Sequence, residues 1–249
     1  MSGGAGRQGR DGGADRPELS IIIPIYNEER ILEGAVVELC DRLVGCGFGY
    51  EILLAENGST DGTVALAGAL AERFAQVQTF SVGEPNYGRA LRLGIARARG
   101  SIVICEEIDL CDTEFQLRAH GMLSQGTIDM VIGSKLIAGA EDERPLFRHA
   151  ASEIYSALLR VTLGFRGTDT HGLKAFRKAT VGPVAARCVV DRDVFASELV
   201  IRAYREGLEV VEIPVCLREK RPPSINLVRR VPAVLHNLAR LAWAIGIRG

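Results

Sequence analysis

Leu19-Ser-Ile-Ile-Ile-Pro-Ile25 is a short, β-branched apolar run closed off by proline, the pattern of a strand buried on both faces. After it, from Glu28 to about Val44, Ile31, Leu32, Ala35, Val36, Leu39 and Leu43 recur at helical spacing. Tyr50-Glu-Ile-Leu-Leu-Ala55 then reads as a second strand. The alternation continues with a helix over 63–74, a strand over 77–82, a helix over 88–99 and a strand over 101–105. Strands alternating with amphipathic helices make βαβ units, so this half predicts an α/β fold with a parallel sheet flanked by helices. Downstream, Asp129–Ser134 reads as a strand and Phe147–Leu163 as a helix with Ile154, Leu158 and Val161 on one face. Gly172–Arg177 is a short strand-like piece, Ala196–Glu206 a helix and Leu208–Val215 a strand. No Gly/Ser linker or internal repeat divides the chain, which predicts a single domain on a mixed, mostly parallel sheet.

Composition narrows the function classes. The 249 residues suffice for one large domain with a substantial core. Thirty Lys and Arg against 31 Asp and Glu supply no global field for nucleic acid, so no nucleic-acid partner is expected. Cys40, Cys46, Cys105, Cys111, Cys188 and Cys216 are scattered without a CxxC pair. That predicts reduced thiols in a cytoplasmic protein rather than a disulfide scaffold or a zinc site. Residues 1–17 are Gly-rich with Arg and Asp and read as a flexible tail. No apolar run of about 18 residues is available to span a bilayer. GxGxxG after a strand, GxxxxGK[ST] and GxSxG are all missing, which removes the warrant for a dehydrogenase, a P-loop NTPase or an α/β-hydrolase.

Ligands of parallel sheets bind beyond the carboxyl ends of the strands. Three such tips are polar here: Tyr26-Asn-Glu-Glu29, Glu56-Asn-Gly-Ser-Thr-Asp-Gly-Thr63 and Glu106-Glu-Ile-Asp109. In extended chain, Glu107 and Asp109 point the same way and converge on one hard cation, Mg2+ or Mn2+. Arg148 and Ser152, at i and i+4, share a helix face and form a geometry suited to clamping a phosphate.

The ordered series Ile22-Ile-Pro-Ile-Tyr-Asn-Glu28, Glu56–Thr63, Gly88-Arg-Ala with Gly94 and Ala98-Arg-Gly100, then Glu107-Ile-Asp-Leu110, resembles family 2 glycosyltransferases of the GT-A (Rossmann-like) fold. The resemblance covers roughly residues 18–240. Within that family the chain is most similar to dolichol- or polyprenyl-phosphate sugar synthases. The supporting residues are Ile132-Gly-Ser-Lys135, Arg148 with Ser152, Asp169–Arg177, Glu198, Glu212-Ile-Pro214 and Arg221-Pro-Pro-Ser224.

The resemblance implies that Pro24, Tyr26, Glu28, Glu56 and Asp61 hold the nucleoside of a nucleotide-sugar, with Arg89 and Glu107 also on the donor. Glu107 and Asp109 replace the family's Asp-x-Asp and would hold Mg2+ or Mn2+. Lys135, Arg148, Ser152 and Arg221 would hold the acceptor phosphate, with Asp109, Asp169 and Glu198 at the reacting centre. The implied reaction is metal-dependent, inverting transfer of a hexose from a GDP-mannose or UDP-glucose type donor to a polyprenyl or dolichyl phosphate. Departures are the Glu-x-Asp motif, Asn57 for a usual acid, Lys135 for a common Arg and His171 at a small-residue position. Two alternatives stand beside it. An enzyme acting on a soluble sugar, small molecule or cell-wall acceptor would need a general base, Asp169 or Glu198. A non-catalytic nucleotide-sugar-binding module is the other.

Toward the end of the chain, Val231, Val234, Leu235, Leu238, Leu241, Ala242 and Ile245 repeat at helical spacing beside Arg229, Arg230, His236, Arg240 and Arg248. Residues 229–249 therefore read as a basic amphipathic helix following a GT-A domain over 18–228. Trp243 is a candidate interfacial anchor for peripheral contact with the cytoplasmic face of a membrane. Packing on the domain or on a second copy, as a homodimer, is the alternative.

Overall fold

The computed structural model describes residues 16–142, 146–191, 194–217 and 227–248, and the side chains among them outside 141–151, 216–235 and 247–248. The first half runs β1 (Leu19–Ile25), α1 (Leu32–Leu43), β2 (Tyr50–Glu56), α2 (Thr63–Arg73), β3 (Val77–Ser81), α3 (Tyr87–Arg97) and β4 (Ile102–Cys105). It continues with α4 (Thr113–Ser124), β5 (Met130–Ser134), β6 (Glu141–Asp142), α5 (Leu146–Leu163) and β7 (Leu173–Arg177). The last elements are α6 (Lys178–Arg187), α7 (Phe195–Arg205), β8 (Val210–Pro214), β9 (Cys216–Leu217) and α8 (Leu227–Arg248).

Seven strands form one sheet in the order β3-β2-β1-β4-β7-β5-β8, and β6 pairs with β9 in a separate two-stranded ribbon. β1, β2, β3 and β4 are mutually parallel, and β5 is parallel to β8. β7 alone runs antiparallel, between β4 and β5. All seven residues of β1 are buried, as the unbroken apolar run requires of a strand covered on both sides. One layer packs Leu91 and Ile95 of α3, Leu159 of α5, Val181 of α6, Leu199 of α7 and Leu241 of α8 against the sheet. The opposite layer does so with Val36 and Leu39 of α1, Leu70 of α2 and Phe115 of α4.

The expected α/β architecture and the strands of the first half are present; four details differ. The first helix starts at Leu32, because Glu28 O receives the Ile31 and Leu32 N–H groups in a turn. α4 and α6 have no counterpart in the periodicity reading. α4 carries Gly121 and His120 in its run, and α6 has Gly182 and Pro183 inside it, so neither shows a clean apolar stripe. The piece at 172–177 contains a full strand, β7, held inside the sheet between β4 and β5. Residues 107–110 form a turn, not an extension of β4: Glu107 O receives the Leu110 N–H at 3.0 Å. The expected tail over 1–17 falls almost wholly outside the described residues; Arg16, which is described, donates from Nε to Arg99 O at 2.8 Å. Cys40, Cys46, Cys105, Cys111 and Cys188 are free thiols.

Gly172 lets the chain enter β7. A Cβ there would lie 1.9 Å from Gly133 O, a backbone atom that cannot give way. Gly68, inside α2, has open space where its Cβ would be. Gly172→Ala is therefore expected to lower the unfolding free energy by about 2 kcal/mol or more. Gly68→Ala is expected to raise it by ~0.5–1 kcal/mol, through helix propensity. Urea titration of the two variants beside the parent checks both signs.

Candidate active site

The strand order reverses at β1: β2 and β3 lie to one side, and β4 to the other. Crossover connections leave in opposite directions there, and a crevice opens beyond the carboxyl ends. Because β7 is antiparallel, the loop leading into it, 169–172, arrives at that same edge.

The first two tips are knitted into one surface. Asn27, whose φ of 55° is left-handed, accepts from Thr60 N at 2.8 Å, and its own N–H donates to Ser59 Oγ at 3.0 Å. Glu28 N donates to Thr63 Oγ1 at 2.8 Å. Asp61 accepts from Thr63 N and Oγ1, hydrogen bonds that hold its carboxyl below the usual carboxylate range. Glu56 is buried and accepts from Ser59 N and Ser81 Oγ. Gly58 sits at φ +77°, where a Cβ would strike the Glu84–Pro85 backbone at 2.8 Å, so the β2 tip lies tight on the loop before α3. Asn57 accepts from Asn86 N across that contact. Glu56 and Asp61 thus shape the tip. Pro24 is buried in β1, Tyr26 is exposed and Glu28 is half-buried. Arg89 is paired with Glu84 at 2.7 Å.

At the β4 tip, Ile108 is buried and anchors the turn, leaving Glu107 exposed and Asp109 half-exposed. The convergence expected from strand alternation does not apply, since the chain turns here; the two carboxylates share one solvent-facing turn instead. Glu106, one residue earlier, is only 1% exposed. Its Oε2 accepts from Gln116 Nε2 at 2.7 Å, while Glu106 Oε1 and Gln116 Oε1 have no hydrogen-bond partner. Burial pushes the Glu106 carboxyl up to about 8, so at neutral pH it carries a proton. That proton supplies a donor where two buried acceptors lack one.

The third group comes from β5, the 169–172 loop and β7. Lys135, just past β5, pairs with Asp169 at 3.1 Å, both side chains being buried. Asp169 Oδ1 also accepts from His171 N at 2.8 Å. Burial drives the Asp169 carboxyl upward, but Lys135, the His171 N–H and Lys174 outweigh it and hold it below the ordinary range. Lys174 is buried and donates from Nζ to Gly172 O at 2.6 Å. Burial lowers its pKa against the attraction of Asp169 and Glu107. His171 meets Tyr155 of α5 edge-on at 5.0 Å, and its Nδ1 lies 3.3 Å from Thr170 Oγ1. The residue keeps an open edge to solvent. Desolvation of the ring, together with Lys174 and Lys135, depresses its pKa to about 4, so the imidazole is neutral. Thr170 Oγ1 and Ser197 Oγ lie 2.9 Å apart, and Tyr155 Oη is 3.3 Å from Ser197 Oγ, which fastens the loop to α5 and α7. Glu212 accepts from Thr168 N at 2.7 Å and secures the loop from β8. A narrow cleft lined by Tyr87, Leu91, Glu107, Leu110, His171 and Lys174 joins the acidic turn to this group.

The structure therefore brings Glu107, Lys135, Asp169 and Lys174 to one edge. It does not bring Glu198 there. That residue is 0% exposed, its Oε2 accepts from Val189 N and Val190 N, and its Oε1 pairs with Arg202 at 2.8 Å, so it fastens α7 to the preceding turn. Ser152 is half-buried on α5, one turn before Tyr155. Arg148 lies on α5 with its side chain outside the described residues, and Arg221 lies outside them altogether. Glu106, Lys174 and Tyr155 are site residues that pattern reading left without a role; a lysine at an inward position of Leu173–Arg177 is the signal that was available. A broad groove between α1 and α2 is elsewhere, and both its arginines are ion-paired, Arg42 with Glu38 at 2.6 Å and Arg73 with Glu33 at 3.1 Å.

A mostly parallel sheet whose strand tips carry an acidic turn and a lysine cluster defines an α/β domain of the GT-A type. Glycosyl transferase family 2 matches over residues 20–178, and the chain belongs to that family. It is 27% identical over 237 residues to glycosyltransferase AglD of Haloferax volcanii, covering 93% of this chain and 38% of that protein. It is 26% identical over 221 residues to dolichyl-phosphate beta-glucosyltransferase ALG5D of Trichomonas vaginalis, covering 81% of this chain and 66% of that one. The chain thus spans between about two fifths and two thirds of the length of these relatives. The crystal structure of glucosyl-3-phosphoglycerate synthase from Mycobacterium tuberculosis in complex with Mn2+, UDP-glucose and phosphoglyceric acid shares the fold, with a TM-score of 0.65 at 20% identity. That likeness covers 94% of this chain and 86% of the synthase.

The buried Glu106 makes stability pH-dependent. Its pKa of about 8 in the folded protein exceeds the ordinary 4.5, so between those values the folded state holds a proton that the unfolded chain releases. Stability contributed this way falls as pH rises through that window. Glu106→Gln keeps the shape without the titration, and is expected to melt above the parent at pH 8 and close to it at pH 5. Thermal melts at the two pH values check it.

Proposed function

We propose that this chain transfers a hexose from a nucleotide-sugar to an acceptor that is already a phosphate, a polyprenyl or dolichyl phosphate. The observation that carries the reading is the state of Asp169. Its carboxylate is ion-paired with Lys135 and held below the usual range, which makes it a poor general base. Glu198, the other candidate base, is buried with both oxygens engaged. A hydroxyl acceptor would need such a base; a phosphate is anionic at neutral pH and needs only to be oriented. The name of one relative, a dolichyl-phosphate beta-glucosyltransferase, supports the same acceptor class.

The donor would lie across the β1 and β2 tips, with its diphosphate toward Glu107 and Asp109. Those residues fit a divalent cation: two solvent-facing carboxylates on one turn match Mg2+ or Mn2+, whose remaining positions go to phosphate oxygens and water. Such an ion, when bound, neutralises the charge that develops on the leaving diphosphate. Tyr26 offers an exposed ring at the β1 tip for the nucleoside. Lys135, with Arg148 and Ser152 on α5, orients the acceptor phosphate, and direct attack on C1 inverts the anomeric carbon. Lys174 lies buried beside Glu107 in the lining of the cleft, where burial lowers its pKa against the attraction of Asp169 and Glu107.

Incubation with UDP-glucose or GDP-mannose and Mg2+ or Mn2+, offering polyprenyl phosphate, phosphoglyceric acid or free sugars in parallel, tests the reading. Glycosylated polyprenyl phosphate is expected; transfer confined to free sugars overturns it. Asp109→Asn is expected to reduce transfer at least about a hundredfold. Its melting temperature should stay near that of the parent, since the side chain is half-exposed on a turn. Arg148→Ala is expected to raise the acceptor KM about tenfold or more through the lost charge-assisted bond. The donor KM should stay within about twofold, so steady-state kinetics in both substrates separate a phosphate clamp from a general defect.

A further inference from the structure

The loop that leads into β7 presents one ring to the cleft and holds it on three sides. Asp169 and Thr170 are buried, at 3% and 1% exposed, but His171 after them is exposed. Its backbone N–H donates to Asp169 Oδ1 at 2.8 Å. Its Nδ1 lies 3.3 Å from Thr170 Oγ1, and that hydroxyl is 2.9 Å from Ser197 Oγ, whose residue is fully buried. Tyr155 Oη, 3.3 Å from the same Ser197 Oγ, completes a run of three hydroxyls behind the imidazole. The Tyr155 ring also packs edge-on against it at 5.0 Å. A side chain fixed this way loses little freedom when a ligand arrives, so a contact it makes is pre-organised. Nε2 is the ring atom left over: it has no hydrogen-bond partner among the described residues.

We propose that Nε2 of His171 hydrogen-bonds a hydroxyl of the hexose on the nucleotide-sugar and so selects which sugar is transferred. This rests on the donor half of the reading above, with the diphosphate at Glu107 and Asp109. Position favours it. Glu107 and Leu110 of the acidic turn line the same narrow cleft as His171 and Lys174. A hexose is bonded to the diphosphate through C1, and an acceptor phosphate held at Lys135 has to reach that carbon from the opposite side. The hexose therefore spans the interval between the turn and the lysine pair, and His171 stands in that interval. Chemistry narrows the partner further. With desolvation and two lysines holding its pKa at about 4, the ring has no positive charge to offer a phosphate oxygen. A hydroxyl both donates and accepts, so it matches either tautomer: Nε2–H when Thr170 donates to Nδ1, or a lone pair when Nδ1–H donates to Thr170. Hexoses differ from one another in the placing of their hydroxyls, and a polar group set for one hydroxyl discriminates against a sugar that lacks it.

Donor binding in the absence of any acceptor tests this. The whole chain with Mn2+ is titrated calorimetrically with UDP-glucose and with GDP-mannose, beside UDP and GDP as probes that carry no hexose. His171→Phe keeps a ring against Tyr155 and loses Nε2; at an exposed position it should melt with the parent. It is expected to weaken the nucleotide-sugar that the parent binds more tightly by about tenfold, the loss of one hydrogen bond, with the matching free nucleotide held within about twofold. Monodeoxy forms of that donor, each lacking one hydroxyl, supply the second arm. In the parent one of them is expected to bind about tenfold more weakly than the intact donor, and in His171→Phe that penalty should vanish. The proposal is overturned if His171→Phe weakens the free nucleotide as much as the nucleotide-sugar, which would assign the ring to the diphosphate or its cation. It is overturned equally if every deoxy penalty is the same in parent and variant, which would make the ring structural. Polyprenyl phosphate takes no part in either arm, so an acceptor of another kind in the transfer assay leaves this result standing.

Discussion

One antiparallel strand organises the chemistry. In a purely parallel sheet every strand delivers only its carboxyl end to the ligand edge. β7 runs the other way between β4 and β5, so the residues that precede it reach that edge too. The strand fits there because Gly172 passes against Gly133 with no room for a Cβ. Without that close approach, Asp169, His171 and Lys174 would not stand beside the acidic turn after β4.

The site that results is divided by charge. Glu107 and Asp109 face solvent on one turn, while Lys135 and Lys174 sit buried a short way along the sheet. Each buried ion has compensation: Lys135 has Asp169, and Lys174 has the Gly172 carbonyl with Asp169 and Glu107 nearby. Removing one member of such a group leaves an uncompensated charge in a poorly solvated place, which is why these residues act as a unit. Glu106 solves the same problem by keeping its proton. The neutral His171 follows from desolvation of its ring, aided by Lys174 and Lys135, and it gives this site a polar ring edge at the cleft.

The two buried carboxylates read as candidate bases differ in what the fold does with them. Glu198 has a helical neighbour four residues on, Arg202, and two backbone N–H groups to satisfy, and it became a fastener. Asp169 stayed at the ligand edge, tied to a lysine from another strand. Local sequence separates these outcomes only in part: Arg202 is a helical neighbour of Glu198, whereas Lys135, the ion-pair partner of Asp169, is brought to it only on folding.

What the linear chain determined is the class of fold and the edge where the site lies. Alternating apolar strands and amphipathic helices are local patterns, and polar tips after β1, β2 and β4 follow directly from them. The interior strand β7, the turn at 107–110 and the helices α4 and α6 were decided by tertiary packing, since their local patterns are short or interrupted by Gly and Pro. Protonation of Glu106, neutrality of His171 and the pairing of Lys135 with Asp169 belong to the folded state for the same physical reason. Burial and charge neighbours set them, and both are properties of residues distant in sequence and adjacent in space.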